Sequence, residues 1–240
     1  MDELVTRYPK TDAACLGLIN LGLLHIAQVC KQNTDEQNWQ RKEEADAAFR
    51  RVAEAFPNKR DLCAKAEMYR AGIAFERVLA HRSTWEIASE QIQGLLNSYA
   101  DAPGGIKARW EIMLAEIAME NSDASTALQR AEDILKSYPD CKLEVGWSHY
   151  IAGNACESKE DYATALTHYS AIIDAKYTEA DNFANRDITL YSLRRSADCY
   201  SKLGQSDKEL EAWLAIIERY PDDPVVEIAR ASVARLQGGK

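Results

Sequence analysis

Residues 200–221, YSKLGQSDKELEAWLAIIERYP, constrain the fold more than any other part of the chain. Tyr200, Trp213 and Ile216 fall at helix-core positions, Gly204 interrupts the first apolar stripe, and Pro221 ends the second because its ring clashes with a continuing helix. Ser206 followed by Glu209 is the pattern of a capping box, in which two side chains satisfy backbone N–H groups at a helix start. Two helices therefore meet at Gly204. A helix pair of this size cannot cover its own apolar faces, so a stack of similar pairs is the expected way to bury them.

The same punctuation recurs along the chain. Thr11 or Asp12 is expected to cap a helix reaching about Cys30, with Leu16, Ile19, Leu23, Ile26 and Ala27 at helical spacing, and the polar stretch KQNTDEQN reads as an extended loop. Further helices are expected over 39–56, 61–81, 85–99 (capped by Ser83 with Glu86), 106–120, 124–138, 143–158, 161–175, 183–203 and 225–236. The breaks carry Pro57, the run Ala102-Pro-Gly-Gly105, Pro139 or Pro224. No useful β-alternation occurs. Ala45, Ala88, Ala127, Ala165 and Glu209 mark equivalent positions about 40 residues apart. The expected architecture is all-α: a single domain over 1–240, a right-handed superhelical solenoid of about five antiparallel helix pairs with a partial unit at each end.

Charge and cysteine usage narrow the partners. The 240 residues carry 29 basic and 38 acidic side chains, a formal charge of −9 that repels phosphate backbones and anionic lipid. Nucleic acid and direct membrane insertion are not expected. The apolar run 16–29 is too short to span a bilayer and contains Asn20 and His25, and MDELVTRYPK lacks the order of a secretory signal. Six cysteines without a C-x-x-C pair sit in or beside expected helices, which reads as buried, reduced thiols. A cytoplasmic setting is mildly favoured, and a periplasmic one fits if a signal lies upstream.

The residues resemble the tetratricopeptide repeat (TPR), which pairs Gly or Ala and an aromatic on a first helix with Ala, an aromatic and a closing Pro on a second. Gly153, Ala165, Tyr169 and Ile172 carry the likeness in one unit, and Ala197, Tyr200, Gly204, Trp213 and Pro221 in the next. Ala115, Ala127, Ile134 and Pro139 match more weakly, as do Ala45, Phe49, Val52 and Pro57, while Ala100 replaces the closing Pro in the unit of Ala88. The RYP-type endings look most like bacterial TPR proteins, among them envelope-assembly and Tol–Pal-associated members.

That resemblance implies a concave groove lined by first helices. Its register nominates Arg70, Ile73 and Arg77; Arg109, Ile112 and Glu116; Trp147, Tyr150 and Asn154; and Tyr191, Arg194 and Asp198. Rings and guanidiniums are the composition of binding hot spots. The Lys/Asn/Arg order of a two-carboxylate clamp is not found. The four histidines show no metal-ligand spacing, and no nucleotide or nucleophile motif appears, so neither a cofactor, a metal nor an active site is expected. The resulting expectation is a non-catalytic scaffold that holds a peptide or domain in its groove; a self-assembling scaffold, or an accessory domain of a larger protein, are the alternatives. Because Leu4, Val5, Tyr8 and Pro9 repeat the positions of Ile216, Ile217, Tyr220 and Pro221, the chain reads as a piece of a longer array.

Overall fold

In the computed structural model, residues 7, 11–30, 32–175, 177 and 187–238 are described, and among them the regular structure is eleven α-helices with no strand. The chain forms two compact units, Met1–Leu114 and Ala115–Lys240. In the first unit stand α1 (Asp12–Ala27), α2 (Asp35–Ala55), α3 (Arg60–Leu79) and α4 (Trp85–Ser98), followed by the first part of α5 (Gly104–Glu120). The second holds the end of α5, then α6 (Ala124–Ser137), α7 (Lys142–Ser158), α8 (Tyr162–Ala175), α9 (Ile188–Lys202), α10 (Ser206–Arg219) and α11 (Val225–Gly238).

Within each unit a helix packs chiefly on the next one in sequence, and first helices also touch: α1 meets α3, and α7 meets α9. This is the all-α repeat architecture that paired apolar stripes demand. In the first unit Leu18 and Ile19 of α1, Phe49 and Val52 of α2, and Ala66 and Ile73 of α3 share one core. In the second, Leu193 and Ala197 of α9 meet Trp213 and Ile216 of α10 and Val226 of α11. Cys156, Ala165, Tyr169 and Cys199 tie α7, α8 and α9 together. All six cysteines are free and four are buried; burial pushes the Cys15 thiol up to about 11 and the Cys199 thiol up to about 12.

Two glycines let aromatic rings approach a first helix at backbone distance. Gly22 of α1 faces Phe49, and a Cβ there would lie 2.4 Å from the ring; Gly153 of α7 faces Tyr169 with the same 2.4 Å approach. Any larger residue must displace a fully buried ring. The Gly-plus-aromatic pattern read from the sequence at Gly153 and Tyr169 is thus a steric pair.

Four turns between the helices of a pair share one geometry. His81, Ser122, Glu160 and Gly204 all have left-handed backbones, with φ of 57°, 60°, 60° and 69°. The N–H of the following residue reaches back to a carbonyl five residues earlier, as from Asp161 to Cys156 at 2.9 Å and from Gln205 to Tyr200 at 2.9 Å. These are Schellman closures, and only the last uses the residue type that adopts this conformation freely. Replacing the exposed Glu160 by Gly should therefore raise stability by about 1 kcal/mol, offset in part by the greater chain entropy of glycine in the unfolded state. A lower thermal midpoint by circular dichroism for Glu160→Gly would contradict this.

Several helix starts differ from the sequence expectation. α2 begins at Asp35, four residues before the expected start, because Thr34 and Gln37 form a reciprocal capping box. Asn38 fastens the preceding turn, accepting from Cys30 N at 3.1 Å and donating to Cys30 O at 3.0 Å, so part of the supposed loop is a helix-start device. The cap of α4 is Thr84 rather than Ser83. At α10 the Ser206–Glu209 box is not formed: Gln205 occupies the cap position, and the buried Glu209 carboxylate is held by Arg235 from α11. α9 starts at Ile188, where Asp187 accepts from the N–H groups of Thr189 and Leu190; the expected start at 183 and the expected helix end over 2–8, Arg7 apart, lie outside the described residues.

Candidate functional site

On α7 and α9 the apolar stripe faces inward and leaves one turn-spaced row of larger side chains outward. Tyr150 of α7 is half-buried, its ring 6.2 Å from the ring of Tyr191 on α9, which is 40% exposed. Tyr150 also lies 6.3 Å from Tyr169 and stands edge-on to Trp147 at 5.7 Å. Offset and edge-on arrangements are the favoured ones for aromatic pairs, so the exposed Tyr191 ring rests on a packed aromatic base.

One turn along, the row becomes polar. Tyr169 donates its hydroxyl to Asn154 Oδ1 at 2.7 Å and contacts Glu157 Oε2 at 2.9 Å. The other Glu157 oxygen accepts from Arg195 Nη1 at 3.2 Å. Burial, with the Glu157 carboxylate beside it, pushes the Tyr169 hydroxyl far up, so it stays protonated and donating. Burial alone would lower the Arg195 guanidinium, but the Glu157 charge together with Tyr150 and Tyr169 outweighs it and holds the group above its ordinary range. Asn154, Glu157, Ser158 and Arg195, with Met119 and Glu120, line an open cleft of about 360 Å³. The half-buried Asp198 carboxyl is pushed up by burial, with the Arg194 charge pulling it partly back.

The nominated groove residues separate into four groups. Tyr150, Asn154, Tyr191, Arg194 and Asp198 fall on or beside this α7–α9 face. Ile73, Ile112 and Trp147 do not present a binding surface: they are 3%, 1% and 1% exposed and form core. A helix turns about 100° per residue, so a register displaced by one position replaces surface with interior.

Arg70 and Arg77 are engaged inside the first unit. Arg70 donates through Nη1 to both oxygens of Glu67 at 2.8 and 2.9 Å, and through Nε to Asp46 at 3.0 Å. Asp46, 2% exposed on α2, also accepts from Arg50 at 2.8 Å. Arg77 makes two bonds to Glu43, at 3.2 and 2.9 Å. Charged groups buried this deeply persist only when paired, and these arginines supply the pairing. Arg109 and Glu116 are half-buried on α5. Sequence reasoning passed over Glu157 and Arg195; the one available signal was that Glu157 follows Asn154 by nearly a helical turn.

Residues 191–223, spanning most of α9, all of α10 and the turn beyond, match the tetratricopeptide repeat family. No curated protein matches the chain. The repeat match and the consecutive packing of helix pairs support a TPR protein, a class of protein–protein interaction scaffold that is typically non-catalytic. No described helix is long and apolar enough to cross a membrane.

Proposed function

We propose that the chain is an interaction module that holds an extended peptide segment of a partner protein across the α7–α9 face. The observation that carries this reading is the exposed Tyr191 ring seated on Tyr150, with the exposed Arg194 beside it and the polar cleft of Asn154, Glu157 and Arg195 one turn away. A rigid aromatic offers contact area at low entropic cost, and a guanidinium forms directed, charge-assisted bonds to carboxylates. The mixed signs of Arg195 and Glu157 favour a segment that carries its own polar side chains rather than a wholly apolar one.

Selection from a random peptide library against the full chain tests the proposal. Peptides that share a motif with an acidic residue should emerge, and the Tyr191→Ala/Arg194→Ala variant should bind them at least tenfold more weakly, because loss of a hot-spot pair typically exceeds about 1.4 kcal/mol. Absence of any enriched motif, or equal affinity for the double variant, would refute it. Assembly of the chain with itself through this face would appear as concentration-dependent mass in light scattering, abolished by the same substitutions.

A further inference from the structure

Two histidines with no recognisable spacing in the sequence come together in the fold. His149 of α7 and His168 of α8 place their Nδ1 atoms 3.1 Å apart, with ring centroids at 5.4 Å and planes tilted by 47°. Both rings are half-buried, so they are fixed by the helix pair and still reached by solvent. Two nitrogens at this distance hold one proton between them and leave at least one lone pair facing the gap. Burial keeps both imidazoles below the ordinary histidine range, and the charge of Glu132 on α6 partly offsets this at His168.

We propose that His149 and His168 form a two-histidine chelate for a divalent transition-metal ion of the nickel, copper or zinc class. The geometric argument is the bite distance. Metal–nitrogen bonds of about 2.0–2.1 Å that subtend roughly 90–109° set the two nitrogens about 2.9–3.4 Å apart, and the observed 3.1 Å lies in that interval. A turn of each ring about its Cβ–Cγ bond moves the lone pairs off one another and onto a common ion. The shared proton moves to the outer ring nitrogen, Nε2, so the donor ring changes tautomer without losing net charge. Imidazole suits these ions, and the chain's formal charge of −9 together with Glu132 favours a cation here. Among the described residues no third His, Cys, Asp or Glu completes a cluster, so water fills the remaining positions and the site stays open. This site is independent of the peptide-binding face.

The test uses NiCl2 and the full chain at pH 7.5. Calorimetry should show one saturable ion per chain, at least tenfold weaker in His149→Asn or His168→Asn, unchanged in His81→Asn, and released as the pH falls and the imidazoles take up protons. Because either asparagine variant could disturb packing, the unaltered protein gives a second readout: paramagnetic Ni²⁺ should broaden two histidine ring resonances in NMR spectra before the other two. No saturable binding, binding that survives both asparagine substitutions, or broadening that begins at His25 or His81 would overturn the proposal.

Discussion

Trp147→Ala is expected to lower the stability of the second unit by about 3–5 kcal/mol, the range for deleting a large buried aromatic. The side chain is 1% exposed and braces Tyr150 edge-on, so truncation both opens a cavity and loosens the ring beneath Tyr191. Tyr191→Ala should by comparison change stability by less than about 1 kcal/mol, since its ring is 40% exposed. Urea unfolding of the two variants distinguishes structural from ligand-contacting aromatics. A loss below about 1 kcal/mol for Trp147→Ala would mean that the residue is not core and would return it to the groove.

Gly153→Val should be comparably damaging, about 3 kcal/mol or more, although glycine is an intrinsically poor helix residue. The gain in helix propensity from leaving glycine is at most about 1 kcal/mol, whereas a Cβ would sit 2.4 Å from a ring carbon of Tyr169. That ring has no room to retreat: it is fully buried, and its hydroxyl is fastened to Asn154 and Glu157. The valine should also break the Asn154 contact and thereby disturb the cleft. A double-mutant cycle with Tyr169→Ala gives the check. If the collision is the cause, the double variant is markedly less unstable than the sum of the singles, whereas simple additivity would place the damage elsewhere.

The helices were legible because their interruptions are chemical: Pro57, Pro139, Gly204 and Pro221 stop apolar stripes by local sterics that need no tertiary information. Thr34 and Gln37 were equally local, but their capping box was hidden in a stretch whose polarity reads as loop. The opposite error at Ser206 was not avoidable from neighbours alone. Glu209 is withdrawn from the cap by Arg235, 26 positions later. Arg70 was likewise indistinguishable from a solvent-facing arginine until the fold placed the buried Asp46 beside it. Candidate surface residues were read by counting positions within a repeat, which fixes a turn of helix but not its rotation; Trp147 and Tyr150 are three residues apart, and only Tyr150 reaches the outer row.

The preference of each helix for its sequence neighbour bears on how the chain acquires its structure. Where α7 finds α8, and α8 finds α9, contact requires only short segments to close, and short closures sacrifice little chain entropy before native packing compensates. Within the second unit, docking of any one pair offers a template on which the next helix can add. Folding rates in such an arrangement are set by local encounters rather than by a search for distant strands. The reverse process is graded: α11, which packs principally on α10, can detach while α7, α8 and α9 remain joined through Cys156, Tyr169 and Cys199. Amide exchange should accordingly be fastest in α11 and slowest around Tyr169, giving a gradient of protection along the unit rather than a single opening event.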